Sequence, residues 1–335
     1  MDYITSMKDP ENVLEIQDLE TCFFTHRGQV RAVDGVSFSV PAGEIVGIVG
    51  ESGCGKSVTG LSLMGLLQKP HGKVTGGQLR LNMGACAYDL TRTPEKVLRS
   101  LRGSTLSMIF QEPMTALNPV LSIYRQLSEC IRLHDPKADP RRRCRELLHM
   151  VGLTDAGRIL KLYPHNLSGG QRQRICIAMA VSCHPRLVIA DEPTTALDVT
   201  VQAQILLLLQ RLSKELGTAV MLITHDLGVV AGICQRVVVM YAGKVVEEAT
   251  AEELFHAPAH PYTQGLLRSK PVLGSGKKSL SYIPGTVPDP AGKKIGCPFR
   301  ERCTYAMEKC AEHFPETTHL SPTHRVCCHR EGAAL

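Results

Sequence analysis

Gly50-Glu51-Ser52-Gly53-Cys54-Gly55-Lys56-Ser57 fills every required position of the pattern G-x-x-x-x-G-K-[ST]. The flanking residues supply the context that this pattern needs. Glu44–Val49 (EIVGIV) is short, apolar and β-branched, which predicts a buried strand running into the glycine-rich turn, and Ser57–Leu67 continues as a helix. Glycines in such a turn let successive backbone N–H groups curl around a phosphate, and the helix N-terminus behind them adds partial positive charge. Lys56 is expected to reach the β- and γ-phosphates of ATP, and Ser57 to hold Mg²⁺. Gly47, Gly50 and Gly53 also hint at a dinucleotide fingerprint, but Lys56-Ser57 favours a nucleoside triphosphate.

Moving outward, Arg186–Ala190 (RLVIA), Ala219–Thr224 (AVMLIT) and Arg236–Tyr241 (RVVVMY) repeat the pattern of short buried strands, and Val201–Leu216 reads as a helix between two of them. Strands alternating with helices predict an α/β fold with a largely parallel central sheet. Thr93–Tyr163 carries few β-branched clusters and a charge run at Arg141–Arg145, and reads as an inserted helical subdomain. After about Phe255 the character changes. His256–Pro261, Pro271, Pro284, Pro288 and Pro290 punctuate a segment of little periodicity, read as a linker to a small Cys-rich tail.

The second chemical feature is Leu187-Val188-Ile189-Ala190-Asp191-Glu192, an apolar strand ending in two carboxylates. At the C-terminal end of a parallel strand, Asp191 can bind the Mg²⁺ shell and Glu192 can polarise an attacking water.

Composition narrows the class. At 335 residues the chain suits one large domain or a domain with an appendage, and 43% apolar with 21% charged residues is ordinary for a globular protein. No stretch approaches the roughly 18 continuous apolar residues a membrane helix needs, the candidate Ile205–Leu209 sits inside an amphipathic pattern, and Met1–Glu11 lacks the layout of a signal peptide. The chain is therefore expected neither to be secreted nor to span a membrane, so any membrane role needs partner subunits. A net charge of +6 suits phosphate ligands or anionic headgroups but equally an ordinary solvated surface. Aromatics at 4%, without Trp, argue against a base-stacking platform and hence against nucleic acid as a partner. Of thirteen cysteines, eight are scattered singly (Cys22, Cys54, Cys86, Cys130, Cys144, Cys176, Cys183, Cys234) and read as small buried hydrophobes, while five crowd into Cys297–Cys328.

Leu167-Ser168-Gly169-Gly170-Gln171 resembles the signature motif of ATP-binding-cassette proteins. Phe110-Gln111, Thr195-Ala196-Leu197-Asp198 and Thr224-His225-Asp226 are similar to the Q-, D- and H-loops of that family, in its order, over about Val13–Glu248. The resemblance implies a phosphate-loop nucleotide-binding domain: a parallel-sheet core, an antiparallel β subdomain and the helical insertion (about 93–165), together spanning 12–255, with a C-terminal extension over 256–335. It implies that two ATP molecules are sandwiched head to tail between two such domains. Ser168, Gly169, Gly170 and Gln171, before the helix Arg172–Val181, would meet the γ-phosphate bound to the other subunit. His225 would contact the γ-phosphate, Asp198 would tie the subunits together, and Gln111 would sense Mg²⁺ or the water. Phe23, with Phe24 beside it, holds the place of an adenine-stacking aromatic. Val58 departs from the hydroxyl residue that many members carry after Ser57, with Glu192, His225, Gln111 and the signature intact. A hydrolysis-competent site is expected, and a regulatory scaffold with a dead site is disfavoured.

His260-Pro261-Tyr262-Thr263-Gln264, Ile283-Pro284-Gly285 and Gln111–Pro119 resemble the peptide-importer branch, which serves dipeptide, oligopeptide and nickel systems of bacteria. That resemblance implies two transmembrane permeases, a second and usually paralogous ATPase, an extracytoplasmic peptide-binding protein, and a place on the cytoplasmic face of the cell membrane. Nickel chelates, glutathione and antimicrobial peptides stay open as cargoes. A non-transport cassette ATPase of DNA repair or translation usually carries two cassettes or coiled-coil inserts, and this chain has one cassette and an importer-like tail.

The tail reads Cys297-x5-Cys303-x6-Cys310-x16-Cys327-Cys328. Thiolates so close in a cytosolic chain favour metal over disulfide. The tight pairs usual for zinc are missing, and four thiolates on longer loops fit an iron–sulfur cluster better, against reduced thiols as the plain alternative. The tail also resembles the dipeptide-importer tail carrying a [4Fe–4S] cluster, which implies Cys297, Cys303, Cys310 and Cys328 as ligands, since Cys328-His329 fits the fourth position better than Cys327.

Overall fold

The computed structural model describes residues 2–26, 28–269, 282–289, 291 and 295–330. Chain contacts group them into two units: Met1–Leu14, Val40–Ile45 and Leu81–Ile223 form the first, and Glu15–Ser39, Val46–Arg80 and Thr224–Leu335 the second.

The first unit is built on parallel pairing. Leu106–Ile109 pairs with Leu187–Asp191, and Leu187–Asp191 with Ala219–Thr224, so that Met108 lies opposite Ile189 and Ile189 opposite Met221. Every residue of the latter two strands is buried. A strand buried on both faces has no solvent side on which polar residues could alternate, hence the unbroken apolar runs in the sequence. The helix Val199–Leu216 connects them and buries Ile205, Leu208, Leu209 and Leu212 along one stripe.

The stretch read as an inserted helical subdomain contains Glu95–Leu101, Pro113–Ala116, Ile123–His134, Pro140–Met150 and Ala156–Ile159, but also the strand Leu106–Ile109. That strand went unrecognised because four residues (LSMI) with a buried Ser107 make too short and too mixed a run to register. The charge run lies on Pro140–Met150, capped by Asp139, with Arg142 paired to Glu146 at 2.9 Å and Cys144 turned into the core.

Gly72–Asn82, Asn12–Thr25 and Gly28–Pro41, most of whose residues belong to the second unit, are successive strands of one sheet, the expected β subdomain. A second sheet pairs Ile45–Val49 in parallel with Arg236–Tyr241, which also pairs antiparallel with Lys244–Thr250 across an irregularity between Val239 and Met240. The chain's tail closes the edge of this sheet: Arg325–Val326 pairs antiparallel with Lys244–Thr250, and Thr318–His319 with Arg325–Val326.

Among the described residues, part of the segment read as a linker from His256 is helical. Ala251–His256 and Pro261–Arg268 are helices, the first opened by a Thr250–Glu253 capping box and the second by His260. Pro261 was taken as a breaker, whereas at the first helical position proline starts a helix. Pro284 and Pro288 lie in irregular backbone, and Pro271 and Pro290 fall outside the described residues. Among the described residues no helix is long and apolar enough to cross a membrane.

Glu247 fastens this region. Its buried carboxylate accepts the Ala259 and His260 N–H groups at 2.7 and 3.0 Å and lies 2.8 Å from Nε2 of the tail's His324. His260 is itself buried, its Nδ1 accepting the Tyr262 N–H at 3.1 Å. Burial drops the His260 imidazole from an ordinary 6.5 to about 4, although the Glu247 carboxylate pulls the other way. Above pH 6.5 the ring is neutral in folded and unfolded chains alike. As pH falls from 6.5 toward 4 only the unfolded chain takes the proton, so stability is lost across that window, up to about 3 kcal/mol. Thermal unfolding between pH 7.5 and 4.5 should therefore show a steep loss below 6.5 that is shallower in His260→Asn, which keeps a capping acceptor and cannot ionise. Equal slopes would show that His260 is not the titrating group.

Candidate nucleotide site

The phosphate loop leaves the fully buried strand Ile45–Val49 and enters the helix Lys56–Met64. Gly55 caps that helix at φ 101°, and a Cβ there would run into the Ala32 carbonyl oxygen, so only glycine fits both the backbone angle and the space. Gly243 N–H donates to the Cys54 carbonyl at 2.9 Å and ties the loop to the hairpin that follows Arg236–Tyr241. Cys54 is a small buried hydrophobe here, as expected, and burial pushes its thiol up.

Lys56 is 6% exposed, and its ammonium donates to the carbonyls of Gly50 at 2.8 Å and Glu51 at 2.9 Å. Among the described residues no carboxylate pairs with it. A buried cation held by neutral groups of its own loop, the Cys54 sulfur at 3.6 Å among them, is placed to pair with an anionic ligand, so the loop fits a polyphosphate. Ser52 and Gly53 are exposed on the loop, with Ser57 and Val58 half-buried behind them. His225, in the same unit, stands exposed just past the strand Ala219–Thr224, where Asp226 caps the next helix through Gly228 N–H at 2.8 Å. Phe23 is half-buried with its ring against Gly72, and Phe24 is exposed.

In the first unit Asp191 ends its strand buried. Glu192 follows at φ +43°, a left-handed conformation costly for a side chain of its size, and its N–H donates to the Ile223 carbonyl at 2.9 Å. Its carboxylate accepts from Gln111 Nε2 at 3.2 Å and Thr195 Oγ1 at 2.9 Å, both on the same oxygen. The structure thus joins Gln111 directly to Glu192, and adds Thr195, which sequence reading passed over as part of the D-loop motif. Backbone strain at Glu192 aims its carboxylate, and two donors hold it there.

The signature residues form a helix start. Ser168 caps Gly169–Ala180 and forms a reciprocal box with Gln171: the Gln171 N–H donates to Ser168 Oγ at 3.3 Å, and the Ser168 N–H to Gln171 Oε1 at 3.0 Å. The S-x-x-Q spacing carried that signal. A Cβ on Gly170 would lie 2.7 Å from Val201 Cγ1, so glycine lets the start of the helix Val199–Leu216 come close, and Asp198 caps that helix through Val201 N–H at 2.9 Å. Losing such a cap costs about 1 kcal/mol. Tyr262, marked in the sequence only as part of the importer-like stretch His260–Gln264, and Arg302, which no motif marked, reach the phosphate loop at Glu51.

Residues 33–195 match the family model of the ABC transporter, and 246–310 that of the oligopeptide/dipeptide transporter C-terminal region. The oligopeptide transport ATP-binding protein AppD of Bacillus subtilis is 51% identical over 92% of this chain and 94% of its own length. The dipeptide transport ATP-binding protein DppD of Escherichia coli is 46% identical over 95% and 96%. Among solved structures, the ATP-binding cassette MJ0796, a dimer in a post-hydrolysis state bound to ADP and Pi, superposes with a TM-score of 0.62 at 28% identity, covering 71% of this chain and 98% of that one.

The expected iron–sulfur site requires correction. Cys297, Cys303, Cys310 and Cys328 do line one cavity, with Phe299 and His329 beside them, and Cys327 is turned away toward Thr317. That cavity measures about 20 Å³, room for a single water. Among the described residues no three His, Cys, Asp or Glu side chains are placed to hold a metal ion. Burial pushes the Cys297 thiol up to about 11 and raises Cys303 and Cys328 as well. The quoted relatives are described by ATP binding and peptide transport, with no cluster in their descriptions. The crowding of cysteines suggested a metal because sequence spacing carries neither cavity size nor the placement of the side chains around it. The chain is an ABC-type ATPase and belongs to the ATP-binding subunits of ABC transporters, in their oligopeptide/dipeptide branch.

Proposed function

We propose that this chain is the ATP-hydrolysing motor of a bacterial importer of di- or oligopeptides. The observation that carries the reading is Glu192, a complete and locally held carboxylate at the end of the Asp191 strand, in a chain that matches peptide-transport ATP-binding proteins nearly end to end. ATP sits on Gly50–Ser57, with Lys56 on the β- and γ-phosphates and Ser57, Gln111 and Asp191 as the residues that would hold Mg²⁺. The metal ion, when bound, neutralises charge developing on the phosphates. Glu192 takes the proton of the attacking water, oriented by Gln111, and His225 donates toward the γ-phosphate. The N-terminus of the helix Gly169–Ala180, kept clear of side chains by Gly169 and Gly170, serves the γ-phosphate held by a second ATPase subunit, with Asp198 at the junction.

The cassette occupies 12–255 and the extension 256–335. The assembly consists of two permeases, two ATPase subunits of which the second is a paralogue, and an external peptide-binding protein, with this chain peripheral on the cytoplasmic face. Coexpression with its membrane subunits tests this. The chain should copurify with them in detergent, and the reconstituted complex should hydrolyse ATP several-fold faster when peptide-loaded binding protein is added. A chain that stays apart from the permeases, with ATPase activity stimulated by nucleic acid, would overturn the reading.

A further inference from the structure

Glu51 places a carboxylate, 28% exposed, in the second position of a loop built to receive an anion. Left alone, that charge would oppose a polyphosphate. It is met by Arg302, a residue of the C-terminal extension that is 5% exposed, through a two-pronged ion pair: Nη1 lies 2.6 Å from Oε2 and Nη2 3.0 Å from Oε1. The remaining guanidinium donors are fixed as well. Nε donates to the Pro284 carbonyl at 2.9 Å, Nη2 to the Ile283 carbonyl at 3.2 Å and Nη1 to the Tyr241 hydroxyl at 3.3 Å. The guanidinium lies over the rings of Tyr241 and Phe299, at 5.8 and 6.0 Å from their centroids. From the same extension, the fully buried Tyr262 accepts the Glu51 N–H on its hydroxyl at 2.8 Å. The side chain and backbone of one loop residue are thus both held from outside every nucleotide motif.

We propose that Arg302, with Tyr262, is a positioning residue for nucleotide binding: it neutralises Glu51 and fixes the entry of the phosphate loop, so that the C-terminal extension sets ATP affinity. This rests on the reading of Gly50–Ser57 as the ATP site. Removing the guanidinium leaves an uncompensated carboxylate beside the triphosphate, and removing that carboxylate as well takes the repulsion away.

The test is Mg·ATP binding to the purified full-length chain by calorimetry. Arg302→Met should weaken binding about tenfold or more, raising KM with little change in kcat. Adding Glu51→Gln to Arg302→Met should restore affinity to within about threefold of wild type, a recovery that a purely structural role for Arg302 would not give. Wild-type affinity in Arg302→Met, or a double variant as weak as the single one, overturns the proposal. Should Arg302→Met fail to fold, Tyr262→Phe, which keeps the ring and loses only the acceptor, should weaken ATP several-fold, and wild-type affinity there would overturn it equally. Lys56→Ala is the reference: unchanged binding in that variant would reject the ATP site itself, a different failure from unchanged binding in Arg302→Met.

Discussion

Replacing Glu192 with Gln should cut steady-state ATP hydrolysis by roughly 10²- to 10⁴-fold, the range for loss of a general base, while the chain still binds ATP. The substitution keeps size and shape, so Gln111 and Thr195 retain an oxygen to donate to, at the 3.2 and 2.9 Å they span now. What disappears is the proton acceptor. The left-handed backbone at φ +43° sharpens the expectation, because strain of that kind persists only where surrounding structure holds it, and here it aims one carboxylate. Phosphate release measured beside nucleotide retention separates chemistry from binding. Retained turnover in Glu192→Gln would remove Glu192 from the mechanism.

Lys56→Ala should act one step earlier. Its ammonium is buried, with two neutral carbonyls as acceptors, and a charge-assisted bond to phosphate in such a place contributes about 2–3 kcal/mol. ATP affinity should accordingly fall about 100-fold, with ADP weakened too, since the β-phosphate is shared. Lys56→Arg should not rescue: a planar fork does not fit where a compact ammonium is enclosed. Equilibrium binding of both nucleotides to the three proteins checks this, and undiminished ATP affinity in Lys56→Ala would sink the assignment.

How far the sequence could be read depended on whether a feature is local. The strands Ala219–Thr224 and Arg236–Tyr241 were legible to the residue because burial on both faces writes an unbroken apolar run. The strand Leu106–Ile109 was not, since its pairing with Leu187–Asp191 is made far along the chain and its four residues advertise little. The strand and helix flanking the turn Gly50–Gly55 were legible because an unbroken apolar run before the glycines and a helical pattern after them are both local. Arg302 was illegible for the opposite reason: its partner Glu51 lies 251 residues away, and nothing in the sequence links an arginine of the tail to a glutamate of the loop. The cysteine tail misled in the same way. Spacing brought Cys297, Cys303, Cys310 and Cys328 to mind as ligands, and the structure does bring them around one cavity, but with room for a water only.

The pH dependence assigned to His260 and the affinity change assigned to Arg302 both concern the extension, and they are separable. The first is a stability loss below pH 6.5 that needs no nucleotide, and the second is read at neutral pH as binding.

Most direct of all is ATP-driven accumulation of a labelled dipeptide or oligopeptide by proteoliposomes carrying this chain with its membrane subunits and the peptide-binding protein. Wild-type chain should drive accumulation that depends on ATP on the side where the chain lies, and Glu192→Gln should abolish it together with hydrolysis. Peptide accumulation that persists with Glu192→Gln, or hydrolysis that proceeds at full rate with no peptide moved, would contradict the account.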